Sequence, residues 1–255
     1  MIVNLAGKKG LIIGIANEHS IAYGCAKKFR EAGAELAITY LNEKSAVYVR
    51  PLAEQLQSPL ILPCDVQQEE QIVATYNSIL ETWGKLDFLL HSIAFAPKED
   101  LQNKLTACSK NGFITAMDIS CYSLINLTRH AQPLMSDGGS ILTVSYYGSQ
   151  KVIANYSLMG IVKAALESTT RYLAYELGTA NIRVNALSPG PIQTRAASGI
   201  LNFHECLEQE VQKSPLHRLV NIDNVGNLAA FMASDAAGDI TGQTLYIDAG
   251  YSIMG

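Results

Sequence analysis

Short apolar runs alternate with longer amphipathic segments along the 255-residue chain. A short run bounded by turn residues is typical of a buried strand, whereas apolar positions three and four residues apart are typical of a helix. Seven runs predict strands: KGLIIGI, ELAITY, LILPCD, LDFLLHSIAF, GSILTVS, IRVNALS and QTLYID. Helices are predicted over IAYGCAKKFREAG, KSAVYVRPLAEQLQ, EEQIVATYNSILETWG, a segment around GFITAMDISCYSLINLTRHAQPLM, YSLMGIVKAALESTTRYLAYELG and IDNVGNLAAFMASD.

Alternation of strands and helices predicts an α/β fold, a Rossmann-like doubly wound parallel sheet of seven strands with helices on both faces. We see no repeat, low-complexity tract or linker, so we expect residues 1–255 to form one domain. Ligands of such sheets bind outside the carboxyl ends of the strands. The residues that follow each strand are therefore the first candidates for a functional site.

Composition narrows the class of protein. A chain that is 48% hydrophobic and 16% charged can bury a large core, and a net charge of −4 argues against a nucleic-acid-binding surface. Five cysteines without a C-x-x-C pair fit reduced thiols in the cytoplasm better than a disulfide framework. The five histidines lack metal-ligand spacing, so we expect no metal. No apolar run reaches the roughly 18 residues that a membrane span needs, so we expect no membrane insertion.

The turn after the first predicted strand, GIANEHSIAYG, can bind a phosphate group. Gly14 lets the backbone approach a pyrophosphate, Ser20 can cap the next helix, and the N–H groups of Ser20 and Ile21 would face the anion. Five residues separate Gly14 from Ser20, so this is not the compact G-x-G-x-x-G fingerprint. An ordinary strand-turn-helix connection is an equally open interpretation.

Two further strand ends can contribute to the same site. Asp65 and Val66 follow LILPC, and the HSIA segment containing Ile93 follows LDFLL. A hydrogen-bond acceptor and a small, close-packed turn suit an adenine amino group and a ribose that lie across the edge of the sheet. Asp65 could also cap the helix that follows it, and the two roles are compatible.

The end of the second strand, TYLNEKS, indicates which dinucleotide would bind. The strand tip offers neither an Asp or Glu for a ribose 2′-hydroxyl nor an Arg for a 2′-phosphate. We expect NADH rather than NADPH, and Leu41 is the position where the choice would be read.

Tyr156 and Lys163 lie seven residues apart at the head of a long predicted helix. Seven residues turn an α-helix through about 700°, within roughly 20° of two full turns. The two side chains would share one face about 10 Å apart along the axis, so a phenol and an ammonium could act on one ligand. A packed ring and a solvated amine are the alternative.

The phosphate-loop helix, the seven-strand alternation and the Tyr-Lys pair after the fifth strand coincide, and this combination resembles the short-chain dehydrogenase/reductase superfamily. Most members space the pair Tyr-x3-Lys, whereas six residues intervene here. The wider interval, with G-x5-S-x-A-x-G, HSIAFAP and SPGPIQTRAASGI, is similar to the enoyl-[acyl-carrier-protein] reductase branch, the FabI type. The match runs over essentially the whole chain.

The resemblance implies a cytoplasmic, homotetrameric enzyme of fatty-acid biosynthesis that uses NADH to reduce the trans-2 double bond of enoyl-acyl carrier protein. Acyl carrier protein is therefore the implied partner. Two alternatives stay open. A carbonyl or 3-ketoacyl reductase of the same superfamily is disfavoured by the six-residue interval, and a non-catalytic dinucleotide sensor or scaffold is opposed by the presence of both Tyr156 and Lys163.

The resemblance also implies roles for single residues. Tyr156 would hydrogen-bond the thioester oxygen and stabilise the enolate, whereas Lys163 would hold the nicotinamide ribose and favour the ionised phenol. Tyr146, after the fifth strand, is a further catalytic candidate that also lines the acyl pocket. Ile192 and Thr194 would grip the nicotinamide carboxamide.

A substrate lid is implied around 194–212, where RAASGILNFHECLEQEVQ is amphipathic. The residues implied to line the acyl pocket are Phe95, Ala96, Tyr146, Met159, Ala196, Ile200 and Phe203. For Met159, Ile200 and Phe203 a place in the plain core is the alternative. Arg195 stands where relatives often carry an apolar residue. With Lys213 and Arg218 it is a candidate for a patch that docks acidic acyl carrier protein, although solvated surface charge is the alternative for each.

Overall fold

The computed structural model describes residues 3–195 and 197–254. Its seven strands form one sheet in the order β3-β2-β1-β4-β5-β6-β7, and every neighbouring pair is parallel. The strands are β1 (Lys9–Ile13), β2 (Glu35–Tyr40), β3 (Leu60–Pro63), β4 (Phe88–His91), β5 (Gly139–Val144), β6 (Ile182–Pro189) and β7 (Thr244–Ile247). The predicted fold class is confirmed.

Helices connect the strands. They are α1 (Ile21–Glu31), α2 (Glu43–Gln55), α3 (Glu69–Trp83), α4 (Lys98–Gln102), α5 (Lys110–Met117), α6 (Ser123–Ala131), α7 (Ser157–Leu177), α8 (Phe203–Lys213) and α9 (Ile222–Ala233). Because the strand order reverses at β1, the chain winds outward in both directions from the middle of the sheet, which opens a crevice at the carboxyl edge.

Each face of the sheet carries its own hydrophobic core, as alternation of side chains along a strand requires. On β1, Leu11 and Ile13 belong to the core under α3, α6 and α7, whereas Ile12 belongs to the core under α1, α2 and α9. The Phe29 and Phe88 rings meet 4.7 Å apart in the second core. Two buried faces explain why these strands read as continuous apolar runs.

The segment around 112–135 is not one helix. A π-helical turn, Asp118–Tyr122, separates α5 from α6, and a 3₁₀ turn, Gln132–Leu134, follows. The π-turn presents the Ser120 hydroxyl, which accepts from the Phe95 N–H at 2.9 Å and donates to the Phe95 carbonyl at 3.0 Å. This turn therefore fixes the loop after β4.

One other boundary differs from the prediction, and the lid segment gains a defined structure. β4 ends at His91, so the apolar SIAF residues that follow lie outside the strand. In the amphipathic lid segment, a 3₁₀ turn, Ala197–Gly199, precedes α8, which begins only at Phe203.

Among the described residues, no helix is both long and apolar enough to cross a membrane.

Candidate active site

The loops after β1 and β4 pack directly together at Gly14. Gly14 has φ of 117°, and a Cβ on it would lie 2.1 Å from the carbonyl oxygen of Ser92. Only glycine combines this left-handed backbone with such a close approach. Gly14 therefore brings the turn before α1 against the residues that follow β4, as a dinucleotide crevice requires.

Ser20 stabilises the turn rather than the helix. It occupies the N-cap position of α1, but its side chain makes no capping hydrogen bond. Its hydroxyl accepts instead from the N–H groups of Ala16 and Asn17, each at 3.0 Å, and its own N–H donates to the Asn17 carbonyl at 3.1 Å. The predictions that Ser20 caps the helix by its side chain and leaves its N–H free are both wrong.

The first turn of α1 still offers donors to an anion. The N–H groups of Tyr23 and Gly24 donate to the Ser20 carbonyl. In the described part of the chain the N–H groups of Ile21 and Ala22 have no protein acceptor, as expected for the start of a helix. Ile21 therefore fits its predicted role in binding a pyrophosphate.

Asp65 does not cap a helix, because Gln68 is the N-cap of α3. The Asp65 carboxylate accepts from the Gln67 N–H at 3.0 Å in a local turn. The capping interpretation is wrong, and the adenine role stays a prediction. Val66 and Ile93 are partly buried against the core under α3.

The tip of β2 is apolar where a 2′-phosphate would bind. Leu41 is 53% exposed, and the neighbouring Tyr40 hydroxyl accepts from Arg50 at 2.7 Å. The Arg50 guanidinium also lies 4.8 Å from the Tyr40 ring centroid. The sequence analysis did not single out this arginine. Because its guanidinium is bonded to Tyr40, the residues at the end of β2 agree with a preference for NADH over NADPH.

Lys163 is buried in α7 at 4% exposure, so the solvated-amine alternative is wrong. Its ammonium donates to the Val144 carbonyl at the end of β5, at 2.6 Å. Burial lowers the pKa of Lys163 to about 8, and the negative charges of Cys121 and then of Glu167 oppose this fall. A lysine held in this way is charged near neutral pH but easily deprotonated above it.

Glu167 lies one helical turn after Lys163 and was missed from the sequence. Its carboxylate accepts from the hydroxyls of Ser145 and Ser149, each at 2.6 Å. Glu167 is buried at 4% exposure and thus anchors α7 to the loop after β5. The spacing of four residues from Lys163 on a helix was the signal that could have found it.

Tyr156 is the residue immediately before α7, so the helix begins one residue later than predicted. Its ring packs edge-on against that of Tyr146, with centroids 4.8 Å apart. Burial raises the pKa of the Tyr156 phenol, so Tyr156 is a neutral hydrogen-bond donor near pH 7. The expectation that Lys163 favours the ionised phenol stays a prediction.

Tyr146 connects this pair to α8. Its hydroxyl lies 3.9 Å from the Cys206 sulfur, and burial raises its pKa. The neighbouring Tyr147 is buried, and its ring packs at 6.0 Å against each of the rings of Tyr246 and Tyr251. Tyr147 is therefore a packing residue.

The residues after β6 face the turn between β1 and α1. Gln193, Thr194 and Arg195 line a cavity of about 340 Å³ together with Asn17 and His19. Thr194 also fixes the start of the following turn, because its hydroxyl accepts from the Ala197 N–H at 3.2 Å. Ile192 is partly buried against the core under α9.

The predicted acyl-pocket residues differ in burial. Met159 is buried, Phe95 is 49% exposed, and Ala96, Ile200 and Phe203 are half-buried. Ala196 lies outside the described residues. Two side-chain amides hold the segment before α8: Gln102 donates to the Gly199 carbonyl at 3.0 Å and Asn155 to the Leu201 carbonyl at 3.1 Å.

The candidate residues span the carboxyl edge of the sheet. Leu41 and Asp65 follow β2 and β3, whereas Lys163 and Tyr146 contact or follow β5, four strand intervals from β3. Strands lie about 4.8 Å apart, so this edge is about 19 Å long. An extended ligand such as a dinucleotide would reach both ends.

Within 3–195 and 197–254, no group of His, Cys, Asp and Glu side chains could hold a metal ion.

A Rossmann-like sheet with a tight glycine turn after β1 and a buried lysine beside two tyrosines at β5 defines a dinucleotide-dependent oxidoreductase. A family model described as enoyl-(acyl carrier protein) reductase matches residues 14–252. The chain therefore belongs to the enoyl-(acyl carrier protein) reductase family.

Individual members of this family are similar to the chain over nearly their whole length. A Nostoc protein named enoyl-[acyl-carrier-protein] reductase [NADH] FabI is 49% identical over 257 aligned residues, which cover 100% of both chains. The crystal structure of enoyl-[acyl-carrier-protein] reductase (NADH) from Aquifex aeolicus is 48% identical, with a TM-score of 0.95 over 98% of this chain and 99% of that one. The Anaplasma phagocytophilum reductase, solved in complex with NAD, is 46% identical, with a TM-score of 0.95 over 100% and 97%.

Proposed function

We propose that this protein is an NADH-dependent enoyl-[acyl-carrier-protein] reductase, which saturates the trans-2 double bond of an enoyl thioester in fatty-acid elongation. The observation that carries the proposal is the buried Lys163 ammonium at the end of β5, beside the packed Tyr146 and Tyr156 rings. These groups share the carboxyl edge of the sheet with the anion-binding start of α1. The NADH specified in the names of the relatives supports the choice of cofactor.

The residues present fit a dinucleotide. The backbone N–H groups of Ile21 and Ala22 suit its pyrophosphate, and the polar cavity beside Thr194 suits its carboxamide end. Lys163 has three donors, one of which bonds the Val144 carbonyl, so two are left for ribose hydroxyls. When bound, the reduced nicotinamide supplies the hydride.

Tyr156 donates a hydrogen bond to the thioester carbonyl oxygen, where negative charge develops as hydride adds to C3 of the substrate. A neutral phenol suits this task, because it carries the proton that stabilises the growing charge. The carbonyl oxygen at C1 is two carbons from the hydride acceptor. The wide interval between Tyr156 and Lys163 matches this greater distance, since a carbonyl reductase needs its donor beside the carbon that accepts hydride.

Tyr146 fixes the Tyr156 ring through their edge-on contact and forms one wall of the acyl pocket. We assign the segment 194–212, which contains all of α8 except its last residue, as the lid of that pocket. Contacts from both sides support this assignment, since Gln102 and Asn155 hold its start and Tyr146 meets Cys206 in α8. The pocket residues are those implied by the sequence, Phe95, Ala96, Met159, Ile200 and Phe203.

Acyl carrier protein docks at a basic cleft that we place beside the end of α8. Lys213 and Lys151 line a cavity of about 220 Å³ with Tyr251 and Met254. The two ammonium groups complement the negative charge of an acidic carrier protein, and the apolar side chains between them suit the acyl chain that it carries. Lys151 was not singled out from the sequence. Arg195 lines the cofactor-side cavity instead, which favours a role there over carrier docking.

The proposed assembly is a cytoplasmic homotetramer of single-domain subunits. Helices α5 and α7 and the π-turn expose large apolar side chains that a monomer would leave in water: Phe113, Ile114, Tyr122, Ile161, Tyr172 and Tyr175. Burial between copies would remove this surface from water. The free cysteines suit a reducing compartment. Light scattering after gel filtration should give four times the mass of 27.6 kDa, and a monomer would contradict the assembly.

The test of function follows NADH absorbance with crotonyl-CoA and, in parallel, with acetoacetyl-CoA. Consumption with crotonyl-CoA alone is expected. Consumption with acetoacetyl-CoA alone would overturn the proposal in favour of a ketoacyl reductase. Tight NADH binding without turnover of either substrate would overturn it in favour of a dinucleotide sensor.

A further inference from the structure

A buried acid lies on the one surface of α8 that faces the protein. Glu210 is the single buried residue of this helix, at 1% exposure. Its Oε1 atom is shielded from solvent and has no hydrogen-bond partner among the described residues. Glutamate is rarely buried without a partner, because an unpaired charge in a protein interior is costly.

Glu210 contacts the carboxyl ends of β6 and β7. A Cβ on Gly190, just after β6, would lie 2.0 Å from Glu210 Oε1, so the carboxyl group occupies the space that a side chain would fill. Asp248, just after β7, is also buried, and its two oxygens accept from the N–H groups of Gly250 and Ser252. The same Cβ would lie 3.4 Å from the Asp248 Cα, so the Glu210 carboxyl group lies near Asp248 where α8 packs on the sheet.

Burial, and then the charge of Asp248, raise the pKa of Glu210 from 4.5 to about 8. The other titratable groups that interact with Glu210 are the Tyr146 and Tyr251 phenols and the Cys206 thiol. Burial raises the pKa of all three, so they are neutral near pH 7 and supply no positive charge to a Glu210 carboxylate. A proton is thus the means by which Glu210 can stay buried.

We propose that Glu210 is a proton-dependent latch for α8: the helix docks on the ends of β6 and β7 when the carboxyl group is protonated and undocks when it ionises. The consequence for the acyl pocket rests on the lid role proposed above. Cys206, which meets Tyr146, lies one turn before Glu210 on α8. Undocking would therefore remove one wall of the pocket beside Tyr146.

The sign of the pH dependence follows from the two states. The docked state keeps its proton up to about pH 8, whereas an exposed Glu210 loses it near 4.5. Docking is fully favoured below the lower value and weakens by up to tenfold per pH unit as pH rises to the upper one. Above it, both states are ionised and the dependence ends.

The latch is tested by hydrogen exchange of the α8 backbone amides, measured by mass spectrometry on the whole chain between pH 5 and 9 and corrected for intrinsic exchange rates. Wild type should lose protection in α8 by up to tenfold per pH unit to about pH 8. Glu210→Gln should abolish this dependence. Glu208→Gln, an exposed acid on the same helix, is the matched control and should behave like wild type. A Glu210→Gln protein that keeps the wild-type dependence would overturn the proposal.

A second variant covers the case in which Glu210→Gln does not fold. Asp248→Asn removes the neighbouring charge, so the protection curve should level off at a lower pH than in wild type. An unchanged curve would contradict the latch. Because exchange is read without turnover, failure of enoyl reduction would leave this result intact, and failure of the latch would leave the proposed reaction intact.

Discussion

Glu167 should set the pH at which the protein loses affinity for NADH. The change is Glu167→Gln, which keeps an oxygen to accept from Ser145 and Ser149 but removes one of the two charges that oppose the fall in the Lys163 pKa, the other being that of Cys121. Side chains four residues apart on a helix are about 6 Å apart at Cβ. At an effective dielectric of about 20, two unit charges at that distance interact by roughly 3 kcal/mol, equivalent to about two pKa units.

The assay is NADH binding by fluorescence from pH 6 to 10. In wild type, affinity should stay level and then fall as pH rises through about 8, because the ammonium form of Lys163 binds the ribose. In Glu167→Gln the fall should begin at a lower pH, by at most about two pH units, which is the upper limit that the interaction energy of roughly 3 kcal/mol sets. Glu176→Gln, an exposed acid on the same helix, serves as the control.

Two results would refute this reasoning. One is a wild-type affinity that does not change between pH 7 and 10. The other is a Glu167→Gln curve that coincides with wild type, which would mean that Glu167 anchors the loop without affecting the charge of Lys163.

Three further predictions concern the substrate, the carrier and the cofactor. Tyr156→Phe should lower turnover of crotonyl-CoA about 100-fold, the usual effect of one lost donor to a developing oxyanion, with NADH affinity nearly unchanged; stopped-flow absorbance and fluorescence titration check both. Full turnover in this variant would exclude the assigned role. The double variant Lys151→Glu with Lys213→Glu should raise KM for enoyl-acyl carrier protein about tenfold and leave KM for crotonyl-CoA unchanged, and equal effects on both would place the docking cleft elsewhere. Leu41→Arg should strengthen NADPH binding about tenfold by adding a phosphate ligand at the tip of β2, which calorimetry measures; no gain would mean that this tip does not face the ribose.

The sheet could be predicted from the sequence because both of its faces are buried. Strands such as β1 and β5 then read as largely apolar runs between turn residues, whichever tertiary contacts they make. The end of β4 could not be predicted, since the residues after His91 are apolar but leave the sheet to meet Ser120. The π-turn that carries Ser120 has no distinct signature in a helical pattern.

The predicted site residues followed from strand ends and motifs, whereas the groups that hold them depend on tertiary packing. Ser20 has the residue type of a helix cap, but its hydroxyl bonds the turn before it, a choice decided by local competition for N–H groups. Glu210 shares a helix face with Phe203 and Cys206, at positions where the amphipathic pattern expects an apolar residue. An acid at such a position was a visible signal that the sequence analysis did not use.

The central claim is hydride transfer from NADH to C3 of an enoyl thioester, and an isotope experiment tests it most directly. The protein would be incubated with crotonyl-CoA and NADH dideuterated at C4 of the nicotinamide, and the product analysed by mass spectrometry and NMR. The account predicts butyryl-CoA with one deuterium at C3. Absence of deuterium from C3, or its appearance only on the carbinol carbon when acetoacetyl-CoA is supplied, would contradict it.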